Sequence, residues 1–126
     1  MRALLMKIQI DVVTGFLDSG KTTCINKMIR NYAAAGEKIV VIQFEQGEID
    51  LEIDPAAKEN ISIEKPDKLK QADSEYIEEI INKYDPRRII IEYNGMKPVK
   101  PLLEVFEEQS VRKKCVMDSV ISTIDA

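Results

Sequence analysis

Histidine is absent from this 126-residue chain, and cysteine occurs only twice, as Cys24 and Cys115. That inventory leaves little material for a metal site built from soft ligands. Neither cysteine belongs to a C-x-x-C pair, and two isolated cysteines fit a reducing compartment better than a disulfide framework. Long hydrophobic runs are missing as well. Leu4-Leu5-Met6 is interrupted too soon, by Lys7, Gln9 and Asp11, to be a secretory signal. No window approaches the roughly 20 apolar residues of a membrane span. Nor is there an excess of basic charge: 18 Lys and Arg against 22 Asp and Glu leave a net charge of −4, which argues against a general nucleic-acid-binding surface. No repeat, low-complexity tract or linker interrupts the chain. The expectation is one cytoplasmic domain, residues 1–126, long enough to bury a core of its own.

What the sequence does contain is Gly15-Phe16-Leu17-Asp18-Ser19-Gly20-Lys21-Thr22, followed by Thr23. The spacing fits G-x-x-x-x-G-K-[ST], a loop whose backbone N–H groups wrap phosphates. Context strengthens the match. Ile8, Ile10, Val12 and Val13 read as a buried strand before it, over about residues 6–13. Ile25, Met28, Ile29 and Tyr32 recur at helical spacing after it. A helix from Lys21 to about residue 35 would add its positive N-terminal end to the loop, and Gly36 supplies a left-handed stop. In such a loop Lys21 would reach the β- and γ-phosphates and the Thr22 hydroxyl would ligate Mg²⁺.

Further along, residues 38–44 form a nearly continuous apolar run, as a parallel strand covered on both faces requires. An acidic stretch follows, with Glu45, Glu48, Asp50, Glu52 and Asp54. It reads either as a solvated loop or, given its place after the second strand, as a nucleotide-sensing switch. Residues 60–64 alternate as a short strand. Ile77, Ile80, Ile81 and Tyr84 mark a second helix, with Asp73 and Ser74 as caps and Asp85-Pro86 as its end. Residues 88–92 are a third buried strand. Val99, Leu102, Leu103 and Phe106 mark a third helix with Arg112-Lys113-Lys114 near its negative end, and a last strand falls at about residues 119–124. The lysines beside Cys115 could lower its pKa, whereas Cys24 reads as a small buried helix residue. Strands alternating with helices predict an α/β fold of three layers, a mostly parallel sheet with helices on both faces. Ligands in such sheets bind at the carboxyl ends of the strands. Glu92 ends the third clear strand there, with Gly95 three residues on. A carboxylate so placed can hold Mg²⁺ or its water, and a glycine N–H can contact a γ-phosphate.

The ordered set G-F-L-D-S-G-K-T-T, Q-F-E-Q-G-E-I-D, I-I-I-E-Y-N-G-M-x-P and V-I-S-T-I-D-A resembles the CobW family of P-loop GTPases. UreG- and HypB-type metallocentre-assembly proteins are relatives. The resemblance covers effectively the whole chain. It implies a P-loop NTPase-like fold, binding of GTP and GDP with Mg²⁺, slow GTP hydrolysis, and a metalloenzyme or cofactor-assembly protein as partner. On that basis residues 15–23 and Gly95 take the nucleotide, and Thr22, Asp50 and Glu92 take the metal. Lys21, Glu45 and Asp50 carry catalysis, with Glu45 positioning the attacking water and Asp50 linked to Mg²⁺.

Three departures bear on that transfer. Asp18 stands where the family commonly has glycine, and a carboxylate beside phosphates must point away or be hydrogen-bonded. Residues 51–65 contain no cysteine where many members carry a C-x-C-C metal motif. The guanine-reading N-K-x-D motif is expected beyond the last strand. Asn82-Lys83-Tyr84-Asp85 matches its letters but closes the second helix at the wrong sheet edge. The expectation is therefore the N-terminal portion of the nucleotide-binding domain, incomplete at its C-terminal side, with an exposed sheet edge that favours a homodimer. Two other readings stand beside a GTPase: a nucleotide-dependent protein-binding switch with little turnover, and a small-molecule kinase.

Overall fold

A computed structural model of the protein describes residues 6–15, 20–44, 55–67 and 72–123, the first three residues of the third segment through their backbone alone. Five strands, β1 (Ile8–Gly15), β2 (Ile39–Gln43), β3 (Ile61–Glu64), β4 (Arg88–Asn94) and β5 (Cys115–Ser122), form one sheet in the order β3-β2-β4-β1-β5. Every pairing is parallel. The helices are α1 (Lys21–Ala34), α2 (Ser74–Tyr84) and two short pieces, α3 (Lys100–Val105) and α4 (Gln109–Arg112); a 3-10 turn (Pro55–Asn60) leads into β3. Among the described residues no helix is long and apolar enough to cross a membrane.

The pleat of β1 shows how the layers form. Ile8, Ile10 and Val12 point to one face, where Ile77, Ile80 and Ile81 of α2, Leu102 of α3 and Val111 of α4 close over them. Val13 points to the other face with Val41 and Ile90, under Ile25, Met28 and Ile29 of α1. A parallel strand covered on both sides must be apolar on both sides, which is why β2 and the first part of β4 read as unbroken Ile and Val runs. The expected three-layer α/β architecture is the one observed.

Two elements differ from the sequence reading. The third helix is split. After Val105 the N–H groups of Phe106, Glu107 and Glu108 bond three residues back, the tightening typical of a helix end, and Glu108 is extended. The break lets Val111, fully buried, reach the core that Leu102 and Phe106 already fill. The last strand begins at Cys115, four residues before the expected start. It lies at the sheet edge, so alternate side chains face solvent and the apolar run that marks central strands is diluted.

One buried ionic cluster ties the amino ends of the strands together. Arg88 Nη1 donates to Asp11 Oδ2 at 2.7 Å and to Asp118 Oδ2 at 2.8 Å, and its guanidinium stacks 3.6 Å from the Tyr32 ring centroid on α1. Ser119 Oγ donates to the second oxygen of Asp11. Asp118 reaches Arg88 because the β1–β5 register slips between Ile10 and Asp11, a bulge that re-aims one side chain. Burial disfavours the charged guanidinium, but the bonds to Asp118 and Asp11 outweigh it and hold its pKa above the ordinary arginine value.

Cys115 corrects the sequence reading in another way. Its thiol is pushed up to about 11 because burial outweighs the lowering by Lys114 and Lys7. Cys24 is half-buried on α1 rather than enclosed, and burial raises its thiol too.

Three outcomes follow from this packing. Arg88→Ala strands a fully buried carboxylate and lowers the unfolding free energy by about 3–5 kcal/mol, whereas Asp118→Ala, at the exposed edge, costs about 1 kcal/mol or less; urea denaturation separates them. At Gly95 an added Cβ would lie 2.3 Å from the Gly15 carbonyl carbon, so Gly95→Ala costs about 3 kcal/mol, against about 1 kcal/mol for Gly36→Ala, where the left-handed φ of 79° is strained but space is open. Because the folded thiol holds its proton more tightly, the stability owed to Cys115 is full below the unfolded thiol's range near 9 and is lost as pH rises to about 11. Cys115→Ser should flatten that part of a denaturation-against-pH profile.

Candidate functional site

The carboxyl ends of β1 and β4 meet at the centre of the sheet, with Gly15 opposite Asn94. Here the Gly95 N–H donates to the Gly15 carbonyl at 3.0 Å, in the close approach that only a residue without Cβ allows. The chain re-enters the described structure at Gly20, with φ 97° and ψ 11°, a left-handed conformation that glycine adopts without strain, and α1 begins at the next residue. The Cys24 N–H bonds the Gly20 carbonyl at 2.9 Å and closes the first turn.

The two long helices differ at their N-termini in a way that bears on ligands. At α2, Asp73 accepts the Tyr76 N–H at 2.9 Å and Glu75 sits in the first turn, so the chain supplies its own negative charge. At α1 the N-cap residue is Gly20, which has no side chain to cap with, and the first turn holds no acid. It holds Lys21 and Thr22 instead, both buried, and the exposed Thr23. A positive helix end with a lysine and no acid in its first turn suits an anion brought from outside. Lys21 Nζ is anchored at 3.4 Å on the carbonyl of Tyr93, next to the end of β4.

Glu92 lies one residue before that anchor and is fully buried. It sits in register between Val13 of β1 and Gln43 of β2. Gln43 Nε2 donates to Glu92 Oε1 at 2.9 Å, and the next N–H, that of Phe44, donates to the Glu92 carbonyl at 3.0 Å. Asn94 closes the strand end by accepting the Met96 N–H on Oδ1 at 2.7 Å. Just after β5, the Thr123 N–H and hydroxyl both bond the Thr14 carbonyl, at 2.8 and 3.2 Å.

The structure thus brings Gly15, Gly20, Lys21, Thr22, Glu92 and Gly95 to one edge of the sheet. Phe16, Leu17, Asp18, Ser19, Glu45 and Asp50 lie outside the described residues. Asn82-Lys83-Tyr84-Asp85 is at the opposite edge. Its Asp85 is the left-handed C-cap of α2, with its N–H on the Ile81 carbonyl at 2.8 Å. Sequence reasoning passed over Gln43. The signal was the one used for Glu92: a polar side chain at the carboxyl end of an otherwise apolar strand.

The chain can now be set beside known proteins. The sequence profile of the family described as "CobW/HypB/UreG, nucleotide-binding domain" matches residues 9–126. A zinc chaperone CobW from Pseudomonas aeruginosa is 28% identical, aligned over 97% of this chain and 36% of its own length. A zinc chaperone CobW from Sinorhizobium sp is 30% identical, over 95% and 37%. The chain therefore spans little more than a third of these relatives. The Zn(II)-bound YjiA GTPase from E. coli shares the fold, with a TM-score of 0.64 over 94% of this chain and 40% of that one at 24% identity. The ordered motifs, the parallel sheet and the helix that starts after Gly20 with Lys21 and Thr22 agree with the profile match: the chain belongs to the CobW/HypB/UreG family, in its nucleotide-binding domain.

Proposed function

We propose that residues 1–126 are a unit that binds guanine nucleotide with Mg²⁺ and hydrolyses GTP slowly in the cytoplasm, in the service of metal or cofactor assembly by a partner protein. The observation that carries the reading is Lys21 at the start of α1, anchored on Tyr93 beside the buried Glu92. A phosphate chain would be taken by the N–H groups of the loop from Gly15 to Thr23, which includes Phe16, Leu17, Asp18 and Ser19, with Lys21 balancing its charge.

The residues present fit Mg²⁺, which prefers hard oxygen ligands: a buried carboxylate at Glu92 and a hydroxyl at Thr22, with Asp50 as a third candidate from the segment after β2. When bound, the cation neutralises phosphate charge and orients the terminal phosphoryl group. Lys21 holds the β- and γ-oxygens as negative charge shifts among them, Glu45 orients the attacking water, and Asp50 links the segment after β2 to the metal. The Gly95 N–H already has the Gly15 carbonyl as acceptor. A γ-phosphate would have to draw it away, and that exchange would report which nucleotide is bound.

Two relatives are named zinc chaperones, which supports a metal-linked role for this chain. The metal would be cargo rather than a resident cofactor. Its ligands would not be a cysteine cluster of this chain, because residues 51–65 contain no cysteine and Cys24 and Cys115 pack against opposite faces of the sheet. A titration with Zn²⁺ should find no tight stoichiometric site that depends on these two thiols, and Cys24→Ser with Cys115→Ser should leave the isotherm unchanged.

Calorimetric titration with Mg²⁺-GTP, Mg²⁺-GDP and Mg²⁺-ATP tests the main reading. Binding of guanine nucleotide, lost at least about a hundredfold in Lys21→Ala, is expected from removal of a charge-assisted contact in a buried site. Equal affinity in wild type and Lys21→Ala would sink the assignment.

A further inference from the structure

We infer that Gln43 is a positioning residue for the metal site, fixing the carboxylate of Glu92 from the β2 side and tying it to the chain that follows β2. The inference deepens the function proposed above and rests on the assignment of Glu92 to the cation.

The argument begins with what surrounds a carboxylate that has no solvent exposure. Glu92 has two in-register neighbours in the sheet. Val13, on β1, offers a side chain that cannot hydrogen-bond. Gln43, on β2, is itself only 4% exposed and donates Nε2 to Glu92 Oε1 at 2.9 Å. Between these two neighbours, the one that can orient the carboxylate lies on the β2 side. An amide is suited to this. It donates to one oxygen without adding a positive charge that would compete with a divalent cation.

The second link is mechanical. The residue after Gln43 donates its N–H to the Glu92 carbonyl at 3.0 Å. Its ring, that of Phe44, packs edge-on against Tyr93 and Tyr76, with centroids 6.2 and 5.9 Å away. Tyr93 is the residue whose carbonyl anchors Lys21. Gln43 and Phe44 thus hold Glu92 by side chain and backbone at the point where β2 gives way to residues 45–54.

The test compares GTP affinity with Mg²⁺ and with EDTA, by calorimetry on the full chain, for wild type, Gln43→Met, Glu92→Gln and the double variant. Methionine keeps the length of the side chain and removes the donor. Gln43→Met should lower Mg²⁺-GTP affinity about tenfold, the scale of lost second-sphere support, and leave affinity in EDTA unchanged. In the Glu92→Gln background the same substitution should have no further effect on the Mg²⁺ dependence, because its route is through that carboxylate. A purely structural role would move both affinities together, or neither, and would show in the melting temperature; either result overturns the inference. Gln43→Asn, which keeps the amide one methylene short, serves if Gln43→Met does not fold, with the same expected split. If Glu92→Gln removes the Mg²⁺ enhancement while Gln43→Met retains it in full, Gln43 is not a positioning residue and the metal site stands. If wild type gains nothing from Mg²⁺, the metal assignment and the inference fall together.

Discussion

The contact on which the site depends is the approach of Gly95 to Gly15. Parallel β1 and β4 run side by side through the middle of the sheet, and at their carboxyl ends the backbone of one chain segment lies where any Cβ on the other would collide. This closeness does two things. It brings the residue after β4 against the last residue of β1, and it gives the Gly95 N–H an acceptor in the Gly15 carbonyl. The nearby Tyr93 carbonyl is then in position to hold Lys21. Lysine and buried carboxylate are thereby brought to one edge of the sheet by backbone geometry.

Charge is arranged differently at the two edges of the sheet. At the amino ends, Arg88 is matched by three carboxylates, those of Asp11, Asp118 and Glu37, and an aromatic face, all from this chain. Such a cluster adds little net stability against the desolvation of its members, but it is costly to break, and so it favours one register over its neighbours. The bulge that delivers Asp118 sets how β5 lies on β1. At the carboxyl ends the pairing is between a carboxylate and an amide, or a lysine and a carbonyl. In each of these two contacts a charged group meets a neutral partner, which fixes its place without adding an opposite charge.

Much of this was legible in the residues, for physical reasons that differ by element. The central strands announced themselves because burial on both faces demands Ile and Val at nearly every position. α1 and α2 were legible through one apolar stripe each, and Gly36 and Asp73 marked a stop and a start that the backbone confirms. The edge strand was placed four residues late because its outward side chains answer to solvent, not to the core. The split of α3 from α4 left no mark in the periodicity. It depends on where Val111 can find volume in a core assembled from distant segments. The burial of Cys115 was missed for a related reason: Lys113 and Lys114 are adjacent in sequence, but the strand that follows turns the thiol inward.

Gln43 shows most clearly how far local reading extends. In sequence it is one polar residue after five apolar or basic ones, and nothing there distinguishes a solvated strand end from a buried amide. The distinction comes from register. β2 pairs with β4 so that position 43 falls beside position 92, and β1 places Val13 on the other side. A slip of one residue would turn Gln43 to the opposite face, away from the carboxylate. The hydrogen bond is thus a product of the whole sheet order, β2 between β3 and β4 and β4 beside β1, and not of either strand alone. The same order that buries the Ile and Val runs delivers an amide to a fully buried carboxylate at the ligand-binding edge. Packing of the core and preparation of the site are set by a single register.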